Sequence, residues 1–232
     1  MPTNRPSSRK TPDNRPRIKV TRDGPYVVTG GVPLTVNAIV LDDKGSPYEW
    51  RATKVYPLAN SYRLCRCGKS KTPPFCDNTH VSIGFDGTET AGFQTFLSEA
   101  EVLEGPELKL FDLPKLCVHA GFCDRMGGTW ALTQYSDTPA AREIAIEQAG
   151  NCPSGRLVVC DKNGNEIEPE YEPSIVLVED PNKGVSGPLW VRGRIPIESA
   201  EGITYEIRNR VTLCRCGKST NKPFCDGKHL HR

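Results

Sequence analysis

Residues 65–80 read CRCGKSKTPPFCDNTH, and residues 214–229 read CRCGKSTNKPFCDGKH. The same spacing of three cysteines and one histidine therefore occurs twice in this 232-residue chain. The likeness extends upstream, because GPYVVTGGVPL (24–34) and GPLWVRGRIPI (187–197) both place a glycine and an apolar-Pro-apolar triplet after an apolar run. Two copies of about 50 residues can together bury a face that one copy is too small to cover. The repeat therefore predicts an internal pseudo-dimer.

The segments around the repeated strings are predicted to be short strands. YRL (62–64) and VTL (211–213) directly precede the two cysteine pairs, so each half is predicted to be a β unit that ends in a cysteine loop. The first half is the longer one, and we assign its additional residues to a hairpin around DDKGSP (42–47). Because 21 glycines and 20 prolines accompany few aromatic residues, turns and short strands are favoured over long helices.

The middle of the chain, roughly 91–170, does not repeat and is predicted to contain a helix and a hairpin. A threonine suited to an N-cap and a proline suited to the first helical position (138–139) precede AAREIAIEQA, and Gly150 can end the helix. LVVCDKNGNEI (157–167) is typical of a hairpin that turns at its Asn-Gly pair.

We therefore expect a β-rich α+β fold, an intramolecular pseudo-dimer of two β units with a small α+β region inserted between them. The predicted boundaries are a disordered basic tail at 1–18, a first unit at 19–90, an insert at 91–170 and a second unit at 171–232. The tail has no apolar segment of the kind a signal peptide needs, and its prolines argue against the amphipathic helix of a transit peptide.

The repeated string is predicted to bind metal, because three thiolates and one imidazole make a complete set of four ligands. The candidate ligands are Cys65, Cys67, Cys76 and His80 in the first copy and Cys214, Cys216, Cys225 and His229 in the second. This set is known from structural zinc sites, but zinc ribbons usually pair cysteines as C-x2-C, and C-x-C is tighter. A two-iron cluster can take the adjacent thiolates on one iron, with Cys and His on the other. The spacing favours iron–sulfur and leaves zinc open.

Both strings resemble the CDGSH iron–sulfur domain (NEET-type) family, whose pattern is C-x-C-x2-[ST]-x3-P-x-C-D-G-[SAT]-H. The first copy matches at Cys65, Cys67, Ser70, Pro74, Cys76, Asp77, Thr79 and His80. The second copy matches at Cys214, Cys216, Ser219, Pro223, Cys225, Asp226, Gly227 and His229. Asn78 replaces the family's glycine, and Lys228 replaces its small residue. The resemblance implies a 2Fe–2S cluster at each site, a β-rich fold, and two copies side by side that often exchange a strand.

The central region has a third candidate site in LCVHAGFCDRMGG (116–128) and NCPSGRL (151–157). Compared with a bacterial C-x2-C-x2-C run and its distant Cys-Pro, the expected cysteines are Cys117, Cys123 and Cys152, with alanine at the middle position. This stretch resembles the divergent single-cluster ferredoxin domains. Three thiolates suit a 3Fe–4S cluster, and His119 as a possible fourth ligand would permit 4Fe–4S. The alternative is that these side chains are buried core residues.

Composition narrows the function classes. The net charge of +2 does not indicate nucleic acid binding. The sequence has no run of 18 apolar residues, so a membrane span is not predicted. Ten cysteines without a signal peptide favour a reducing, cytoplasmic location, where clustered thiols usually mean metal or catalysis. Cys160 lies in a strand-like run and is predicted to be a packing residue. No motif of an enzyme was found, so we expect a protein that is not an enzyme.

Electron transfer to a redox partner protein is the function these features predict best. One alternative is storage of clusters and their transfer to apo iron–sulfur acceptors, or redox or pH sensing, because a protonated histidine cannot ligate. Another is a zinc-stabilised interaction module. The cations inside the cysteine loops are expected to offset cluster charge and to dock an acidic partner, or merely to be solvated; they are Arg66, Lys69, Arg215 and Lys218. Internal pseudo-dimerisation predicts a monomer.

Overall fold

The structure, a computed structural model, describes residues 15–231, and within them it has thirteen strands and four α-helices. The strands are β1 (Arg17–Val20), β2 (Tyr26–Thr29), β3 (Leu34–Leu41), β4 (Pro47–Val55), β5 (Ser61–Leu64), β6 (Glu101–Glu104), β7 (Leu108–Asp112), β8 (Leu157–Asp161), β9 (Glu166–Ile167), β10 (Ser174–Asp180), β11 (Val185–Arg192), β12 (Ile197–Glu198) and β13 (Arg210–Leu213). The helices are α1 (Thr79–Ser82), α2 (Phe96–Glu99), α3 (Thr129–Gln134) and α4 (Pro139–Gly150), with short 3-10 turns at Pro114–Leu116, Arg125–Gly127 and Lys228–Leu230.

The predicted β-rich character and several predicted elements are confirmed. Strands β5 and β13 precede the cysteine loops, β3 and β4 form the hairpin expected around 42–47, and β8 and β9 form the hairpin with the Asn-Gly turn. Helix α4 begins at Pro139 as predicted, although Thr138 makes no side-chain capping bond. Most of the predicted tail (1–14) lies outside the described residues, whereas Arg17 and Ile18 of that segment already belong to β1.

Two of the three sheets combine strands from both halves of the chain. One has the order β12-β1-β2-β5, and the other has the order β13-β11-β10-β3-β4. Strand β12 of the second half lies parallel to β1, with Ile197 opposite Ile18. Strand β3 of the first half lies parallel to β10, with Val36 opposite Leu177. Each cysteine loop therefore follows a strand, β5 or β13, whose sheet also includes a strand of the opposite half.

The exchanged strands enclose one core, to which both halves contribute. In β1 the side chains alternate, so that Ile18 and Val20 are buried while Lys19 reaches Glu198 of β12 at 2.9 Å. Each fully buried aliphatic side chain stabilises the fold by about 1.5–3 kcal/mol. The buried members of this core are Ile18, Val20, Tyr26, Val28, Val32, Leu34, Leu64, Ile175, Leu177, Leu189, Val191, Ile195, Ile197, Tyr205, Val211 and Leu213.

The central segment has its own sheet and its own core. Strands β6-β7-β8-β9 form an antiparallel sheet in that order, and α3 and α4, which lie between β7 and β8 in the chain, pack against it. Its buried core residues are Leu108, Leu110, Leu132, Ala145, Ala149, Leu157 and Val159. Across residues 15–231, every helix is too short or too polar to cross a lipid bilayer.

Candidate metal centres

In the first cysteine loop the four predicted ligands lie in two pairs. The Sγ atoms of Cys65 and Cys67 are 3.6 Å apart, and Cys76 Sγ is 3.4 Å from Nδ1 of His80. The loop is closed on its own strand, because the Cys65 N–H donates to the Pro74 carbonyl at 2.8 Å. Helix α1 then presents His80 one turn after Cys76.

The second loop repeats this arrangement in a more buried setting. The Sγ atoms of Cys214 and Cys216 are 3.6 Å apart, and Cys225 Sγ is 3.6 Å from Nδ1 of His229. Cys214 and Cys225 are each 2% exposed and His229 is 6% exposed, whereas Cys76 and His80 are only partly buried. The two copies therefore share their geometry and differ in their access to solvent.

These pairs have the spacing that two ligands on one metal atom require. On a tetrahedral metal with bonds of about 2.3 Å to sulfur and 2.0 Å to nitrogen, two thiolates lie about 3.8 Å apart, and a thiolate and an imidazole nitrogen about 3.6 Å apart. Within residues 15–231, no group of three or more His, Cys, Asp or Glu side chains surrounds a single point. Each loop therefore presents its four donor atoms as two separate pairs, and two pairs in one loop fit a centre with two metal atoms.

An aspartate and a serine brace each loop. Asp77 accepts hydrogen bonds from the N–H groups of Lys71 (2.7 Å) and Thr79 (3.0 Å), which hold the pKa of that carboxyl well below its usual range. Ser70 donates to the Phe75 carbonyl at 2.6 Å. Asp77 therefore holds the start of α1, while the N-cap position itself belongs to Asn78.

The second loop has the same braces. Asp226 accepts from the N–H and the hydroxyl of Thr220 at 2.7 and 2.8 Å, and Ser219 donates to the Phe224 carbonyl at 2.7 Å. The equivalence of these bonds explains why the two donor sets have nearly identical spacing.

The two cysteine loops touch each other at their glycines. A Cβ atom on Gly68 would lie 2.7 Å from the Cys216 carbonyl oxygen, and one on Gly217 would lie 2.8 Å from that of Cys67. Both glycines have a positive φ, 71° and 78°. Tyr26 of the first half reinforces this contact, because its hydroxyl lies 2.8 Å from the carbonyl oxygen of Cys214. The first and second donor sets therefore adjoin directly.

Alanine at position 68 is expected to lower the free energy of unfolding by about 2–4 kcal/mol, since a left-handed backbone costs a non-glycine residue about 1–2 kcal/mol and overpacking adds about 1–3. Gly164→Ala is the matched control, because Gly164 has φ 87° and open space around it, so only the backbone cost applies. Denaturant titration of the two variants measures the difference, and equal losses would contradict a tight contact between the loops.

The arginines inside the loops are structural, so the expectation that they dock a partner is wrong for them. Arg66 is 2% exposed and donates to the carbonyls of Thr21 and Gly87. Arg215 donates to the Gly187 carbonyl at 2.6 Å and pairs with Glu179 at 2.6 Å. Each guanidinium thus fastens its loop to neighbouring backbone. The loop lysines, Lys69 and Lys218, are exposed.

The structure brings the central candidate ligands together around one cavity of about 350 Å³. The predicted donors Cys117, His119, Cys123 and Cys152 all line it, although Cys152 follows the other three by about 30 residues. The backbone of His119 is left-handed, with φ 55°. This convergence supports the prediction that these four side chains form a ligand site and not part of an ordinary core.

Cations also surround the central cavity, and sequence reasoning did not single them out. Arg156 lines it and donates to both carboxylate oxygens of Asp112, at 2.6 and 2.8 Å. Hydrogen bonds to Asp112, and more weakly to Cys117, raise the pKa of Arg156 above its ordinary value. Lys183, also in the lining, donates to the His119 carbonyl at 2.9 Å. Their only sequence signal is charge, which does not distinguish them from solvated residues.

Burial and pairing shift the pKa values of several candidate ligand thiols, in opposite directions. Burial raises the pKa of Cys123 to about 12, aided by the negative charge of Asp124, and burial raises that of Cys225 to about 12. In the second pair, a hydrogen bond from Cys216 lowers the pKa of Cys214 to about 6 and raises that of Cys216. Cys123, Cys216 and Cys225 therefore stay protonated at neutral pH unless a metal displaces the proton, whereas Cys214 is already largely a thiolate.

Cys160 stands apart from all three sites, as predicted. It is 3% exposed and packs with Phe96, Leu113 and Val158. Desolvation raises its pKa to about 11, so it behaves as a small apolar side chain.

Comparison with known protein families agrees with this division of the sites. A family described as iron-binding zinc finger, CDGSH type, matches residues 23–81 and 186–230, and a family described as divergent 4Fe-4S mono-cluster matches residues 103–162. Searches of curated proteins and of solved structures found no significant match. The chain is therefore an iron–sulfur binding protein with two CDGSH-type regions that flank a divergent 4Fe-4S mono-cluster region.

Proposed function

We propose that this protein is an electron-transfer protein that holds one 2Fe–2S cluster in each CDGSH motif and one 4Fe–4S cluster in the central region. When bound, such clusters take up and release single electrons. The observation that carries the proposal is the contiguity of the three donor sets. The first loop touches the second at Gly68 and Gly217, and the central loop touches the second motif at Gly227. Donor sets in contact suit exchange of electrons better than independent storage.

In each motif the C-x-C pair would hold one iron, and the Cys-His pair would hold the other. The observed pair spacings of 3.4–3.6 Å support this assignment. The complete sets of ligands are therefore Cys65, Cys67, Cys76 and His80 in the first motif and Cys214, Cys216, Cys225 and His229 in the second. A neutral imidazole in place of one thiolate removes a negative charge, which favours the reduced form and raises the potential.

In the central region we assign Cys117, Cys123 and Cys152 as three ligands and His119 as the fourth. His119 lines the same cavity as the three thiols, and its backbone has a strained left-handed conformation, with φ 55°. With four donors the site suits 4Fe–4S, in line with the description of the matching family. A site without His119 would suit 3Fe–4S.

The arrangement of strands supports an internal pseudo-dimer. Strand β12 of the second half pairs in parallel with β1 of the first half. Strand β3 of the first half pairs in parallel with β10 of the second half. Because the shared core uses side chains from both halves, one chain already has the partner that a single CDGSH unit would need. We therefore propose a monomer that works in the cytoplasm with redox partner proteins and catalyses no reaction by itself.

An anaerobic reductive titration followed by EPR tests electron transfer. We expect about three electrons per chain, signals from two kinds of cluster, and complete reoxidation by a one-electron acceptor without loss of iron. No reduction between about −700 and +450 mV, the range of protein iron–sulfur centres, would contradict the proposal.

Cluster release from the first motif is a second candidate function, and the exposure of His80 favours it. His80 is partly exposed while His229 is 6% exposed. Incubation with an apo-ferredoxin should then transfer about two irons, all from the first motif. Electron transfer alone predicts that the acceptor stays empty.

The two motifs are expected to differ in acid stability. Burial, and then the nearby charge of Arg215, lower the pKa of His229 to about 4, so this imidazole stays neutral well below its ordinary value of about 6.5. Since a protonated imidazole leaves the metal, the second motif should keep its cluster to lower pH than the more exposed first motif. Visible absorbance at falling pH should decay in two phases. His80→Cys should slow the early phase and His229→Cys the late one, and the opposite assignment would contradict the prediction.

A further inference from the structure

The loop that bears two of the central cysteines, residues 117–123, lies directly on the second CDGSH motif. A Cβ atom on Gly227 would lie 2.6 Å from Cδ2 of His119 and 3.0 Å from the carbonyl oxygen of Cys117. Gly227 stands between the ligand candidates Cys225 and His229. The imidazole ring of His119 and the carbonyl of Cys117 thus lie directly against the backbone of Gly227.

Other contacts hold the central region in this position. Cys225 packs in a small core with Val118, Ala120 and Phe122 of the central loop. From the second half, Lys183 donates to the His119 carbonyl at 2.9 Å, and Arg210 of β13 donates to the Cys152 carbonyl at 2.8 Å. Both parts of the central donor set are therefore fastened to the second half, and residues 118–122 also pack on Cys225 of the second motif.

The first motif shows what this position looks like without such a cover. Asn78 is the equivalent of Gly227, and it has the same left-handed backbone, with φ 68° against 83°. Its side chain is exposed and accepts a hydrogen bond from Arg63. Because the turn itself tolerates asparagine in the first motif, it is the central loop, and not the turn, that excludes a side chain at position 227.

We propose that Gly227 is a positioning residue that joins the central site and the second CDGSH site into one assembly unit, so that each loads fully only when the other does, while the first motif loads by itself. This inference rests on the proposed function, because it assumes that all three sites take up iron.

Gly227→Asn tests the proposal, with Asn78→Gly as the matched control. Iron and labile sulfide are counted after anaerobic purification, and EPR distinguishes the cluster types. Wild type and Asn78→Gly should each hold about eight irons per chain, two in each motif and four in the centre. Gly227→Asn should fall towards about two irons, with the first-motif signal intact. About eight irons in Gly227→Asn would overturn the proposal.

A second variant decides the question if Gly227→Asn fails to fold, which circular dichroism would show. Cys117→Ser with Cys123→Ser removes central ligands and leaves Gly227 in place. Independent sites would then keep about four irons, whereas coupled sites should keep clearly fewer, towards about two. Four irons with both 2Fe–2S signals intact would overturn the coupling. Wild-type protein without iron would instead overturn the proposed function on which the coupling rests.

Discussion

Serine at both Cys65 and Cys214 is expected to remove the 2Fe–2S clusters of both motifs and to leave at most about four irons of about eight. Each substitution takes one thiolate from a pair whose Sγ atoms are 3.6 Å apart, so one iron of each cluster would lose a charged ligand. A serine hydroxyl is a far weaker donor for iron, because it does not ionise at neutral pH. Iron and sulfide counts, with EPR of the reduced protein, measure the loss.

Cys160→Ser is the matched control for this experiment. Cys160 is as buried as the ligand candidates but packs among apolar side chains, so its replacement should cost about 1 kcal/mol of stability and no iron. Retention of all eight irons by the double variant, or loss of iron from Cys160→Ser, would contradict the assignment of ligands.

Arg210→Met is expected to lower the free energy of unfolding by about 3–5 kcal/mol, which is typical when one partner of a buried ion pair is removed. The Arg210 side chain is 1% exposed and is paired with Glu168. It also donates to three carbonyls, those of Cys152, Ala149 and Leu157, at 2.8–3.0 Å. Methionine fills much of the volume but leaves a buried carboxylate and three carbonyls without their donor.

The matched control for Arg210 is an exposed ion pair. Arg22 and Glu201 are 3.1 Å apart with side chains 81% and 70% exposed, so Arg22→Met should cost less than about 1 kcal/mol. Urea denaturation of the two variants measures both values. Because Arg210 also holds the Cys152 loop, its variant should lose iron from the centre. A loss of stability as small as that of Arg22→Met would contradict the role of Arg210 as an internal clamp.

The donor sets of the two motifs were predictable because their geometry is local. Cys65, Cys67, Cys76 and His80 lie within sixteen residues, and a tight turn, a short strand and one helical turn bring them together without help from the rest of the chain. The helix at 139–150 and the hairpins were predictable for the same reason. The central site was within reach because its cysteines match a known spacing.

Long-range contacts were not predictable from these patterns. The strings around Arg66 and Arg215 read as loop residues, and charge alone gives no sign that both guanidinium groups turn inward to backbone carbonyls. Nor does the pattern say which motif the central region covers, because both copies begin with the same CRCGKS. Among the differences between the two strings is Asn78 against Gly227, and its meaning depends on the position of His119 in the folded chain.

The metal and sulfide content of anaerobically purified protein, recorded with its visible spectrum, decides between iron–sulfur clusters and zinc. We expect a brown protein with about eight irons and about eight labile sulfides per chain and less than stoichiometric zinc. A colourless protein with about two zinc ions and no sulfide would contradict it, because Cys3His sites filled by zinc have no redox chemistry.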